Sequence, residues 1–250
     1  MSWSYDAIAD VYATDMGQSM PFDDIGCYRS ICRAQAGAAL ELGCGTGRIL
    51  LELLAADIDA FGADRSLPML QRLRRDAATR RLAPRVAQMD LRALALRGTF
   101  AAILLPYSLI TYLTDRNVAI GMLRELRARL APGGVIVLDA FVPQPVASFA
   151  DFRLDYRRAH GAGTLERHKR ITANADGTNR IERRYRVFGA DGVQPVEQFD
   201  TDETIRPYGS AALTEMAVAA GLRVQEWIFD YGTRAGADGA LFATALLRTP

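Results

Sequence analysis

Lysine is almost absent from this chain: Lys169 is the only one, and arginine supplies nearly all of the 30 basic residues. We read that bias as codon composition. The 29 acidic residues balance the basic ones to a net charge of +1. Such a balance excludes the broad basic field that steers a protein onto nucleic acid, and no nucleic-acid partner is expected. Cysteine is scarce as well. Three cysteines, an odd number, give no disulfide framework. Cys44 sits in a glycine-rich stretch that needs a small residue, while Cys27 and Cys32 read as buried helix positions. His160 and His168 are the only histidines. No His, Cys and Asp cluster has metal-ligand spacing, so no metal is expected. No run reaches the ~18 apolar residues that span a membrane. The stretch Met1–Asp6 lacks the basic start and apolar core of a signal peptide. A cytoplasmic chain without a membrane partner is the expectation. With 250 residues and 50% hydrophobic content, it suits one globular domain, or one domain carrying a sizeable insertion.

The most informative stretch is Ala39-Leu40-Glu41-Leu42-Gly43-Cys44-Gly45-Thr46-Gly47-Arg48. A short apolar run carries an acid near its end and breaks into three alternating glycines, with an amphipathic segment, Ile49–Ala55, directly after. This is strand, tight turn, helix. Alternate glycines let the backbone turn sharply and approach a ligand closely. A phosphate-cradling ATPase loop needs glycine, Lys and then Ser or Thr, and no such triplet exists here. A dinucleotide fingerprint needs a third glycine three positions after the second, but Arg48 or Leu50 stands there. Glu41 would repel a pyrophosphate and attract an ammonium group. S-adenosylmethionine carries an ammonium and a sulfonium, and no phosphate.

Here the chain resembles the class I S-adenosylmethionine-dependent methyltransferases, through motifs spread over roughly residues 38–140. Glu41–Gly47 is similar to that family's first motif. Asp64 ends the apolar run Ile58–Asp64, 21 positions after Gly43. Rossmann-type folds place a ribose-binding acid at about 20. Ser66-Leu67-Pro68-Met69-Leu70 resembles the stretch that opens the next helix, and Gln88-Met89-Asp90-Leu91 the adenine-binding segment. Phe100–Leu105 resembles the fourth strand, and Leu130–Leu138 the helix end, turn and fifth strand. The resemblance implies S-adenosyl-L-methionine as cofactor. It also implies a cofactor site of Tyr12, Glu41, Gly43, Gly45, Gly47, Asp64, Met69, Met89, Asp90 and Leu105. The fold it implies is α/β, a Rossmann-like doubly wound sheet of seven strands. Tyr5-Asp6-Ala7-Ile8-Ala9-Asp10-Val11-Tyr12 is similar to the family opening that folds over cofactor and acceptor. The other reading of both tyrosines is simple core packing. Trp3 reads as a gate or a loose end.

Residues 1–37 read as a helical cap, with a stripe of Ile8, Val11, Tyr12 and Ile31 broken at Gly17 and Pro21. Residues 38–148 alternate strand with helix, the pattern of a parallel sheet covered on both faces. Ile120, Leu123, Leu126 and Leu130 predict a helix over Asn117–Leu130, stopped by Pro132-Gly133. From about Phe152 to Tyr208 helical periodicity disappears. The turn dipeptides Asp176-Gly177 and Asp191-Gly192 predict strands over Thr164–Thr172, Arg180–Phe188 and Gln194–Arg206. We therefore expect a β-rich insertion over residues 152–208, after the fifth strand, that forms a lid or substrate wall. Its position is similar to that in methyltransferases acting on amino sugars and nitrogen heterocycles. A helix over Ser210–Ala220 and strands over Arg223–Tyr231 and Ala240–Leu247 complete the core.

Leu105-Pro106-Tyr107-Ser108 follows the fourth strand, where open α/β sheets place their ligand crevice. Nucleic-acid amino-methyltransferases carry Asp or Asn, Pro-Pro and an aromatic there, and the missing acid or amide argues against DNA as acceptor. Tyr5, Tyr107 and Tyr112 are the candidate catalytic-site residues. As phenols of pKa ~10 they are poor bases and better suited to orient or stack on an acceptor. His160 and His168 titrate near neutrality and are candidate bases, with a solvated strand position as the plainer reading. The Arg180, Arg183, Arg184 and Arg186 set reads as a solvated sheet surface, and the run Arg72–Arg81 as the wet face of a helix. The expectation is methyl transfer to a small-molecule acceptor, a nitrogen of an azapteridine-type heterocycle or amino sugar, by in-line displacement dominated by positioning. An O-methyltransferase with a histidine base and a non-catalytic cofactor-binding scaffold are the alternatives.

Overall fold

The computed structural model describes residues 4–16, 20–146 and 148–250. They form two compact units: Phe22–Pro143 with Pro207–Pro250, and Met1–Pro21 with Gln144–Arg206. Among the described residues no helix is long and apolar enough to cross a membrane.

The larger unit is built on β1 (Ala39–Leu42), which is buried at every position and pairs in parallel on both sides. Its neighbours are β2 (Ala60–Asp64) and β4 (Phe100–Leu105). The sheet continues outward through β3 (Arg85–Gln88) on one flank and β5 (Leu130–Phe141) on the other. Beyond β5 lie β11 (Phe242–Arg248), antiparallel to it, and β10 (Arg223–Phe229). The seven-stranded order is β3-β2-β1-β4-β5-β11-β10. The order reverses between β1 and β4, so the crevice at their carboxyl ends is the place for a ligand.

Helices cover both faces. On one face, Leu40, Leu42, Ile103, Leu105, Ile136 and Leu138 pack with α6 (Arg116–Ala128) and α7 (Ser210–Ala219) through Leu123, Leu126, Met216 and Ala217. Burying each large side chain contributes about 1.5–3 kcal/mol. The other face carries α3 (Asp24–Arg33), α4 (Leu50–Ala55) and α5 (Leu67–Thr79). Three of these five helix starts are chemically marked. Asp23 caps α3 by accepting from Gly26 N–H, Ser66 caps α5 from Met69 N–H, and Asp115 caps α6 from Asn117 N–H. Helix α6 ends two residues before the predicted Leu130, because Leu130 already pairs with Phe100 as the first residue of β5.

The smaller unit is a four-stranded antiparallel sheet, β6 (Phe149–His160), β7 (Gly163–Ala173), β8 (Asn179–Phe188) and β9 (Pro195–Ile205), in that order. Two short helices, α1 (Ser4–Ala7) and α2 (Tyr12–Met16), pack on it. Strand β6 corrects the sequence-based expectation, which began the β-rich stretch at Phe152 and drew no strand before Thr164. Its segment lacks clean apolar alternation. Cross-strand charge pairs hold it instead, including Arg157 with Glu166 and Arg167 with Asp155. The arginines of β8 also divide. Arg180 and Arg184 pair with Asp202 and Asp200, whereas Arg183 lies on the opposite face against buried Glu203. Trp3 and Gly17 lie outside the described residues.

Candidate active site

The glycine loop leaves β1 in the left-handed region: φ is +66° at Gly43, +52° at Gly45 and +88° at Gly47. A side chain would be strained at each. Two of these glycines also admit neighbours. A Cβ at Gly43 would come within 2.9 Å of Leu109, in the turn after β4. One at Gly47 would come within 2.8 Å of Leu73 on α5 and 2.9 Å of Leu51 on α4. Gly47 therefore serves helix packing, while Gly43 lets the loops after β1 and β4 touch across the switch point.

Two acids frame this loop. Asp64 Oδ2 accepts from Gly45 N–H at 2.8 Å, and Oδ1 from Ser66 N–H at 2.7 Å. The carboxylate thus ties the glycine loop to the start of α5. Glu41 is buried, and burial pushes its carboxyl up to about 8, with Arg48 pulling it down and Asp64 pushing it up. Its Oε2 has no hydrogen-bond partner among the described residues. An acid short of one donor, beneath a loop shaped for close backbone approach, fits a cofactor that brings an ammonium group.

The remaining sequence-predicted positions divide by burial. Met89 N–H donates to the Asp64 carbonyl at 2.8 Å, which sets the loop after β3 beside β2. Asp90 does not cap a helix. Its Oδ1 accepts from Arg92 N–H at 2.9 Å, and Arg65 lies 3.3 Å from its Oδ2. Arg92 also donates to the Tyr112 carbonyl at 3.1 Å, bridging the loops after β3 and β4. Met69 and Leu105 are no more than 1% exposed and present no side-chain surface to a ligand. A contact from either position would have to come through the backbone. The cysteines are not nucleophiles: burial pushes the Cys32 thiol up to about 12, and Cys44 is raised by the same cause.

A second cluster lies at the carboxyl end of β5. Asp139 is fully buried, a feature the sequence reading missed. Its Oδ2 accepts from Tyr107 N–H at 3.2 Å and Tyr231 O–H at 2.6 Å, and the Tyr28 hydroxyl donates to the same oxygen. Thr244 donates to Oδ1 at 2.7 Å. Burial pushes this carboxyl up, and the four donors pull against it. Tyr107 and Ser108 both have positive φ, +51° and +60°. Strain of about 1–3 kcal/mol per residue persists only where surroundings hold it. Here Asp139 holds one residue, and Ser108 Oγ, accepting from Phe141 N–H at 3.0 Å, holds the other. The Tyr107 ring meets Phe141 at 5.2 Å and Phe242 at 5.7 Å between centroids. The only sequence signal for Asp139 was an isolated acid in the apolar run Val135–Phe141.

Tyr5 and Tyr12 belong to the smaller unit, where their rings meet edge to face at 5.9 Å. Buried Asp15 anchors their segment by accepting from Tyr185 O–H at 3.3 Å and from Tyr156 and Arg167. Both histidines lie in this unit. His160 Nδ1 lies 2.8 Å from Thr14 Oγ1, and His168 Nδ1 lies 3.4 Å from Glu166 Oε1.

Comparison with known proteins places this arrangement. Residues 39–134 match the family described as methyltransferase domain. A demethylmenaquinone methyltransferase of Thermus thermophilus is 36% identical over 113 residues, 44% of this chain. The match spans about half of that relative's length, 50%. The solved S-adenosylmethionine-dependent methyltransferase of Clostridium acetobutylicum superposes with a TM-score of 0.81 at 17% identity, covering 98% of each chain. A sugar N-methyltransferase from a Streptoalloteichus species gives a TM-score of 0.75 at 22% identity, over 96% of this chain and 92% of its own. At those identities the likeness establishes the fold. Residues 39–134 thus match a methyltransferase domain, on a fold shared with solved S-adenosylmethionine-dependent methyltransferases, and the cofactor of that family is S-adenosyl-L-methionine.

Proposed function

We propose that the protein transfers a methyl group from S-adenosylmethionine to a nitrogen of a small molecule, an amino sugar or a nitrogen heterocycle. Glu41 and the glycine loop take the cofactor's amino-acid end, Asp64 the ribose, and Met89 and Asp90 the adenine. By the family resemblance, Tyr12 is assigned to the cofactor and Tyr5, Tyr107 and Tyr112 to the acceptor. When bound, the cofactor supplies a methyl group already activated by positive sulfur. The chain's task is to hold the acceptor in line and exclude water, and no strong base is required.

The observation that carries this reading is the Asp64 clamp, which fixes Gly45 and the start of α5 with one carboxylate at the switch point. The nitrogen assignment draws on the smaller unit's β sheet and on the sugar N-methyltransferase among the structural relatives.

The test is calorimetry with S-adenosylhomocysteine, NAD and ATP, followed by turnover with methyl-labelled S-adenosylmethionine. Acceptors are glucosamine, 3-amino-3-deoxyglucose, lumazine and catechol. Binding of S-adenosylhomocysteine alone, with label on an amino or ring nitrogen, is expected. Tighter binding of NAD, or label on catechol oxygen only, would overturn the reading. Cofactor binding without transfer to any acceptor would favour a scaffold.

A further inference from the structure

Two turns of unusual backbone meet at one carboxylate. Tyr107-Ser108 follow β4, Asp230-Tyr231 follow β10, and all four non-glycine residues have positive φ. Strands β5 and β11 stand between β4 and β10 in the sheet, yet both turns reach Asp139 on β5. The Tyr107 N–H and the Tyr231 O–H donate to the same oxygen, Oδ2. Tyr28 brings helix α3 to that oxygen, and Thr244 brings β11 to the other. The second turn has its own brace: Asp230 Oδ1 accepts from Leu241 N–H at 2.8 Å and Phe242 N–H at 2.9 Å.

The two tyrosine rings form one continuous wall with Phe141 at the end of β5 and Phe242 at the start of β11, in which Tyr231 and Phe242 are buried. Tyr107 packs on Phe141 and Phe242, Phe141 on Phe242 at 4.7 Å, and Tyr231 on Phe242 at 5.4 Å. Phe141, at the end of β5, is 40% exposed, so the wall reaches solvent at the carboxyl ends of β4 and β5. A buried acid is weak evidence for stability, because an apolar group of similar volume often serves as well. What an apolar group cannot do is orient a backbone N–H and two phenols from three separate elements. Aromatic faces prefer flat or ring-shaped partners.

We propose that Asp139 is a positioning residue for methyl transfer: through Tyr107 N–H and Tyr231 O–H it sets an aromatic cluster in which buried Tyr231 and Phe242 back Tyr107 and Phe141, the rings that align a ring-shaped acceptor. This rests on the reading of Tyr107 as an acceptor contact. Asp139 itself touches no reactant. Its loss should therefore appear in acceptor KM and leave cofactor affinity intact.

The experiment compares Tyr231→Phe, Tyr28→Phe, Asp139→Asn and Tyr107→Ala with Tyr208→Phe. The Tyr208 hydroxyl donates to the Leu113 carbonyl at 2.6 Å, a buried bond away from Asp139, so this variant reports plain loss of a core hydrogen bond. For each, kcat and KM are measured for the best-turned-over acceptor among glucosamine, 3-amino-3-deoxyglucose and lumazine, and Kd for S-adenosylhomocysteine. The expected result is an acceptor KM raised roughly tenfold in Tyr231→Phe and Asp139→Asn, with cofactor Kd and the Tyr208→Phe KM near wild type. If Asp139→Asn does not fold, the two tyrosine variants decide. Should Tyr107→Ala raise KM while Tyr28→Phe and Tyr231→Phe do not, the inference fails and the reading of Tyr107 stands. An equal KM rise in Tyr208→Phe makes the effect structural and also overturns the inference. No effect of Tyr107→Ala, or no wild-type turnover of any of the three acceptors, overturns the reading of the crevice and the inference with it.

Discussion

Asp24 and Arg48 meet as a bidentate ion pair, with Arg48 Nη1 donating to Asp24 Oδ1 at 2.9 Å. Asp24 stands in the first turn of α3, and Arg48 directly follows the last glycine of the loop. The pair ties a helix start to the cofactor loop. Arg48 also draws down the pKa of Glu41. Replacing it leaves a buried carboxylate without its partner. Arg48→Met should cost about 2–4 kcal/mol, below the full value for a buried pair because the arginine is 24% exposed. Urea unfolding measures this directly, and a loss under ~0.5 kcal/mol would show the pair to be incidental.

Glu41 makes stability depend on pH. Its folded-state pKa is raised from 4.5 to about 8, so between these values the folded chain holds a proton that the unfolded chain has lost. Stability should therefore fall as pH rises through that window and level off above it. Glu41→Gln should flatten this component, as read by urea unfolding at pH 5 and pH 8. A ligand ammonium beside the carboxylate favours its charged form. S-adenosylhomocysteine binding near pH 7 should then release a proton, seen as a binding enthalpy that varies with buffer ionisation. Absence of release in the wild type would remove Glu41 from the ligand's ammonium.

Asp64→Asn is close in shape, but it removes the charge and turns one of the two accepting oxygens into an amide donor facing Gly45 or Ser66 N–H. Cofactor affinity should fall roughly ten- to a hundredfold, the range of a lost charge-assisted hydrogen bond of ~1.5–3 kcal/mol. Asp64→Ala should do at least as much, since Gly45 and Ser66 N–H groups lose their acceptor. Unchanged Kd in a folded variant would confine Asp64 to shaping the loop.

Asp15 should behave as the anchor of the smaller unit. Asp15→Ala removes the acceptor of Tyr156 and Tyr185 and one of the two carboxylates that hold Arg167. Amide exchange should accelerate in residues 4–16 and in β6 to β8, while β1, β4 and β5 keep their protection. Uniform acceleration would mean that the loss unfolds the whole chain instead.

The histidines separate positioning from base catalysis. A true general base contributes ~10²–10⁴-fold. His160→Gln and His168→Gln should each lower kcat by less than about tenfold, with the shape of the pH profile kept. A thousandfold loss at either would favour an O-methyltransferase.

Legibility in the sequence followed burial and local chemistry. Phe100–Leu105 was readable to the residue because every side chain in it is buried. The glycine loop was readable because positive φ demands glycine. Strand β6 was not, because its partners are charges on other strands, and a run such as Arg157-Arg158 carries no period. Asp139 and Asp15 escaped for a related reason. Each is an unremarkable acid in sequence, and its meaning comes from tyrosines and arginines more than 30 residues away. Met69 and Leu105 show the reverse case, positions that fit a family pattern while their side chains face the core.

The smaller unit joins the first stretch of the chain to one that begins at Gln144. Asp15 and Tyr185 are 170 positions apart. On the ribosome the amino end appears first, and domains tend to fold in the order they emerge. Residues 4–16 break that order. Their polar anchor has no partners until most of the chain has been made, and closing so long a loop slows the step further. The segment that carries Tyr5 and Tyr12, synthesised well before its partners, is thus late to find its place.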